Sequence, residues 1–120
     1  MKKPTGTTEK AKAPPPCSNY YYVAHSVPTA GAGHENLLNT GVACTQLTIV
    51  LASYPKWWHY IDGFWVIGTN ETMAQVRERL AIFIPPKGFF VFIGLFTGVP
   101  GDYNGFMPEA AWQYLSTCKP

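Results

Sequence analysis

Apolar residues fall along this chain in two rhythms, and the changes of rhythm mark the elements. Tyr20-Tyr21-Tyr22-Val23-Ala24-His25-Ser26-Val27 is a run of β-formers that stops at Pro28, which predicts a first strand. Pro28 to Gly33 reads as a loop. Over 35–53, Leu38, Val42 and Leu51 suit one helix face, with Leu47 and Val50 beside them. Gly41 and the β-branched Thr45, Thr48, Ile49 and Val50 weaken that helix, which ends before Pro55. Two strong β runs follow, Trp57-Trp58-His59-Tyr60-Ile61 and Phe64-Trp65-Val66-Ile67-Gly68. Asp62-Gly63 between them suits a tight hairpin turn; one bent strand with a bulge at Gly63 is the other reading.

Met73, Val76, Leu80 and Phe83 recur at helical spacing and predict a helix over 70–84. Thr69 or Asn70 caps it in this reading, Glu71 sits at its positive end, and Pro85-Pro86 stops it. Gly88 to Leu95 is apolar on both alternating faces, like a central strand covered on both sides. Thr97 to Gly105 reads as a loop, and Pro108 opens a short final helix carrying Ala110, Ala111, Trp112, Tyr114 and Leu115. The order predicts an α+β fold: a ferredoxin-like βαββαβ antiparallel sheet with helices on one face, plus a short C-terminal helix.

Length and charge then divide the chain. Its 120 residues suit one domain, and 47% hydrophobic with 15% aromatic residues supplies a core. Residues 1–17 read as a disordered Lys/Pro-rich arm and 18–118 as the single domain. The arm carries four lysines against Glu9, whereas residues 18–120 carry five basic and six acidic side chains. The basic excess therefore belongs to the arm, and the domain lacks the clustered Lys and Arg that displace counterions from phosphates, which argues against a nucleic-acid partner. No apolar run approaches the ~20 residues of a membrane span. No apolar segment follows Met1-Lys2-Lys3, so the expected location is cytoplasmic, with Cys17, Cys44 and Cys118 reduced.

Candidate chemistry is sparse. Gly94, Gly98, Gly101 and Gly105 lack the phosphate-cradling pattern, and His25, His34 and Cys44 lack metal-ligand spacing, so no cofactor or metal is expected. Cys44, without an adjacent base, reads as a small core residue. His59 and Asp62 lie three apart on a strand and face opposite sides. Trp57 and His59 share one face, Trp58 and Tyr60 the other. Such aromatics stack on unpaired bases in some proteins, but packing in a core or dimer interface is the preferred reading.

Four blocks, in order, carry a resemblance. They are Tyr21-Tyr22-Val23-Ala24-His25-Ser26-Val27, then Trp57-Trp58-His59-Tyr60-Ile61-Asp62-Gly63-Phe64-Trp65-Val66, then the 70–84 helix with Phe89 to Leu95, and Gly105-Phe106-Met107-Pro108-Glu109-Ala110-Ala111-Trp112. Over roughly 20–117 the chain resembles the small bacterial and phage proteins labelled SinR-like, which look like relatives of the small CRISPR-associated endoribonucleases. That resemblance implies a ferredoxin-like homodimer. The family's proposed metal ligand is an Asp at the end of the first strand. The matching residue here is Ser26, whose neutral hydroxyl is a poor Mg²⁺ ligand. The expectation is a non-catalytic interaction module, partnering itself and possessing a surface for a host protein. Trp58, Tyr60, Trp112 and Tyr114 are the expected partner-binding residues. The rival readings are a metal-dependent endoribonuclease using Asp62 or Asp102 beside Ser26, and a phage-encoded inhibitor of a host protein.

Overall fold

Three successive tyrosines cannot share one face of a strand, and this decides the architecture. In the computed structural model, which describes residues 17–28, 34–86, 88–99 and 101–120 (backbone alone for 34–39), β1 (Asn19–His25) buries Tyr20 on one face and Tyr21 on the other. The remaining strands are β2 (Lys56–Ile61), β3 (Phe64–Thr69) and β4 (Val91–Leu95). Their order across the sheet is β2-β3-β1-β4, and every neighbouring pair is antiparallel. The helices are α1 (His34–Leu51), α2 (Met73–Ala81) and α3 (Glu109–Leu115). The protein is therefore an α+β fold built on a four-stranded antiparallel sheet, as its order of elements leads one to expect.

The sheet is covered on both faces. On the first, Tyr21, Val23, Trp65 and Ile67 pack with Ala43, Leu47 and Leu51 of α1 and with Val76 and Leu80 of α2. On the second, Tyr20, Trp58 and Val66 pack with Ala111 and Leu115 of α3, Cys17 and Cys118. The two longer helices thus share one face, while the C-terminal helix takes the other. Cys17, grouped with the arm by composition, belongs to this second cluster. Residues 1–16 of that arm and 29–33 of the expected loop lie outside the described residues.

The strand Gly88–Leu95 departs most from expectation. Among the described residues, β4 is an edge strand, hydrogen-bonded to β1 alone. Its apolar pattern runs on both faces because Val91 and Ile93 pack on the first core while Phe92 meets Tyr22 across the second face. On α1 the buried face is Ala43, Leu47 and Leu51; Val42 points to solvent. The cap of α2 is Thr72, not Thr69 or Asn70. Thr72 Oγ1 accepts from the Gln75 N–H at 3.2 Å, and Gln75 returns the bond to the Thr72 N–H at 2.8 Å, a reciprocal capping box. Thr69 and Asn70 are engaged elsewhere, accepting from the N–H groups of Glu71 and Ser18.

Asp62-Gly63 forms a two-residue turn, with Gly63 at φ +76°. A Cβ there would sit 2.6 Å from the His25 carbonyl oxygen, so glycine is required both by conformation and by space. The bulge lies not at Gly63 but in β2, between Trp58 and Ile61. Its extra residue breaks the alternation of faces, and Trp58 and Ile61, three apart, line the same cavity.

Glu71 ties the elements of one sheet end together. Its carboxylate accepts from Tyr54 O–H at 3.1 Å and pairs with Arg79 of α2, while its carbonyl accepts from Tyr21 O–H at 3.0 Å and Asn19 Nδ2 at 2.9 Å. The hydrogen bond from Arg79 lowers the Glu71 carboxyl below its ordinary 4.5, and burial with the nearby carboxylate pushes the Tyr54 phenol up to about 12.

Two outcomes follow for stability. Leu80, only 1% exposed in the first core, should cost ~2–5 kcal/mol when truncated to alanine, measured by denaturant unfolding. A near-neutral value would place the α2 face elsewhere. Because the folded-state pKa of Glu71 is lowered, its stabilisation is present above about pH 4.5 and lost as pH falls through the lowered value. The stability gap between wild type and Glu71→Gln should therefore narrow in acid; a gap independent of pH would remove Glu71 from this role.

Candidate functional site

The end of β1 is where the resemblance places a metal-binding carboxylate. Ser26 holds the sheet together there instead. Its hydroxyl accepts from the Phe90 N–H at 2.9 Å, and its own N–H donates to the Phe90 carbonyl at 3.0 Å. His25 and Cys44 converge on the same place, with Nδ1 and Sγ 3.9 Å apart. Both donate to the Ser26 carbonyl, Nδ1–H at 2.7 Å and Sγ–H at 3.1 Å. A general base must accept the thiol proton, and this imidazole nitrogen carries a proton of its own. Burial raises the Cys44 thiol pKa, and the Asp62 charge raises it further. The pair has the proximity of a Cys–His dyad without its chemistry. His25 Nε2 is buried without a hydrogen-bond partner, in a ring stacked on Phe89.

The three residues of the endoribonuclease reading do not gather. Asp62 is exposed at the hairpin tip, near the Ser26 end of β1 through the bond from the His25 N–H to the Gly63 carbonyl. Asp102 accepts from the Thr97 hydroxyl at 3.0 Å. Thr97 follows Phe96, whose N–H donates to the Tyr20 carbonyl at the opposite end of β1. From Tyr20 to Ser26 a strand advances roughly 20 Å, so Asp102 and Ser26 cannot share one ion. Among the described residues, no group of three or more His, Cys, Asp or Glu side chains is arranged to hold a metal. His59 is structural: it stacks on Trp65 at 3.9 Å and Nδ1 donates to the Phe64 carbonyl at 3.0 Å.

Aromatic residues form the more developed feature. Across the second face run Trp58 and Tyr60 of β2, Phe64 of β3, Tyr22 of β1 and Phe92 of β4, each ring 5.2–6.4 Å from the next. Of the four expected partner-binding residues, Trp58 is corrected outright: it is 3% exposed beneath α3, with Nε1–H donating to the Ala111 carbonyl at 2.9 Å. Burial rewards so large a ring, and its one polar atom finds a partner inside the chain. Trp112 is half-buried and faces Tyr103 across 6.1 Å. Tyr60 and Tyr114 are exposed. Beside this face, the segment from Tyr103 to Met107 closes a cavity of about 420 Å³ over Trp58, Phe64 and Trp112. Phe90, Phe92, Leu95 and Phe106 are exposed and were not among the expected residues. Their signal was present for β4, in a strand lacking charge, and hidden for Phe106 in a glycine-rich loop.

No family model matches the chain, and neither the curated proteins nor the solved structures contain a significant match to it. No helix among the described residues is long and apolar enough to cross a membrane.

The geometry yields an expectation for catalysis. RNA incubated with the protein and Mg²⁺ or Mn²⁺ should remain as intact as in buffer, because a metal-dependent cut needs converging carboxylates. Cleavage abolished by Asp62→Ala or Asp102→Ala would reverse this conclusion.

Proposed function

We propose that the protein is a non-catalytic interaction module that associates with a second copy of itself through the free edge of β4. The observation that carries the reading is the chemistry of this edge. Among the described residues β4 pairs on one side only, and no charged residue stands between Phe89 and Thr97. Sheet edges of soluble proteins are normally guarded by lysine, proline or a bulge, and an unguarded edge pairs with another chain. Phe90, Phe92 and Leu95 are 76%, 64% and 63% exposed along it. Leu95 lies on the face of Tyr21 and Phe92 on the face of Ala24, so the edge is apolar on both sides of the sheet. A half-open cavity of about 610 Å³ between α2 and β4, lined by Met73, Leu80, Ile84 and Val91, extends the apolar surface beyond the strand.

The reading assigns the contact to β4 rather than to α3, whose apolar side is used within the chain. Antiparallel pairing of two β4 strands about a two-fold axis would join the sheets into one of eight strands, a closed and self-complementary assembly. The same strand order, read from the other edge as β4-β1-β3-β2, with α1 and α2 on one face, supports a ferredoxin-like assignment. The SinR-like relationship rests on the sequence blocks, and with it the inference that a host protein is a further partner.

Light scattering after size exclusion tests the reading. Wild type should elute at twice 13.3 kDa, and Phe92→Lys with Leu95→Lys should return it to a single chain. A wild-type mass of one chain at micromolar concentration overturns the proposal.

A further inference from the structure

The cavity on the second face has a composition that the self-association reading does not use. Its walls are rings: Trp58, Phe64, Phe96, Tyr103, Phe106 and Trp112. Among the described residues, no charged side chain lines it. Phe106 stands fully exposed at its margin. Trp58 and Phe64 meet edge to face at 87°, and Tyr103 and Trp112 lie nearly parallel at 17°.

The polar groups of this lining are mostly unengaged. Among the described residues, the Trp112 Nε1–H, the Tyr103 O–H and the Asn104 amide N–H groups make no hydrogen bond. Asn104 spends only its oxygen, accepting from the Gly105 N–H at 2.8 Å. The site therefore combines aromatic faces with idle donors and no charge. A polyproline II segment has the converse chemistry. Its rings pack on aromatic faces, its carbonyls are unpaired acceptors, and proline has no N–H to leave unsatisfied. Aromatic grooves recognise proline-rich segments on this basis.

The chain carries such a segment beside the site. Pro14-Pro15-Pro16 directly precedes Cys17, the first described residue. Cys17 is buried in the cluster that contains Trp58, Val66 and Leu115, and these three also line the cavity. Three residues of polyproline II span about 9 Å, and Lys10 to Pro16 about 20 Å, so the arm has the reach of the cavity from this anchor. We propose that the ring-lined cavity beneath the Tyr103–Met107 segment is a docking site for the proline-rich arm of this chain, Lys10 to Pro16.

The full-length chain tests this through the indole N–H resonances of its four tryptophans. In a variant with Pro14→Ala, Pro15→Ala and Pro16→Ala, the Trp112 resonance should move while that of Trp65, in the first core, stays in place. A synthetic peptide of Lys10 to Pro16 added to this variant should return the Trp112 resonance saturably toward its wild-type position. The same peptide with alanine for its three prolines should leave it unmoved. Phe106→Ala, at a fully exposed position, should weaken the peptide at least threefold without unfolding the domain. An unchanged Trp112 resonance in the proline variant overturns the proposal. So does an equal response to the proline and alanine peptides, or an affinity indifferent to Phe106→Ala.

Discussion

β1 is hydrogen-bonded on both edges and buried on both faces, and each further element answers that demand. Tyr21 and Val23 need a layer on one side, which α1 and α2 supply with Leu47, Leu51, Val76 and Leu80. Tyr20 needs one on the other, and the chain provides it by running past β4 and folding α3 back across the sheet. A single-faced sheet would leave rings of this size in water at a cost of about 1.5–3 kcal/mol for each large side chain. The bond from Trp58 Nε1 to the Ala111 carbonyl fixes where the returning helix settles, because a buried indole N–H must find an acceptor. The C-terminal helix is therefore part of the core.

The same demand explains why the end of β1 is quiet. At Ser26 the backbone and hydroxyl continue the pairing with Phe90, and the nearby imidazole and thiol are both committed to one carbonyl. Two donors sharing one carbonyl fix each other's geometry at this end of the strand. Two acidic residues are engaged in comparable ways: Glu71 with Arg79 and Tyr54, Asp102 with Thr97. Exposed apolar side chains remain along β4 and around the loop before α3.

Much of this architecture was legible from side-chain rhythm. The strand of tyrosines, the Trp-rich hairpin and the spacing of Val76 and Leu80 each specify one element, because period and burial coincide there. The failures have common physical causes. Phe89 to Leu95 read as central because an edge strand touching two cores has the same alternation as a buried one; only the neighbour on its far side distinguishes them. The α1 face was rotated because apolar residues surround that helix, so Val42 and Ala43 compete and the smaller one packs closer. Thr72 and Gln75 have capping-box spacing, but Thr69 and Asn70 offer the same cap chemistry just before them in the sequence. Of the candidate surface, Tyr60 and Tyr114 were visible as exposed aromatics. Trp58 was not distinguishable from them, because its burial depends on a helix more than fifty residues away.

Tyr20 and Tyr22 share a further property. Each lies opposite a glycine, Gly68 and Gly94, and a Cβ on either glycine would stand 2.5 Å or less from the ring. The rings therefore recline across the neighbouring strands instead of standing upright from their own. Upright side chains make a comb whose teeth lock a partner into one register. Reclining rings make a pavement, smooth along the strand direction, which holds by area and not by interlock. The Tyr22 half of this face therefore offers area without the notches that would set a register. The position of anything resting there must be fixed from the margins, where the chain leaves the sheet.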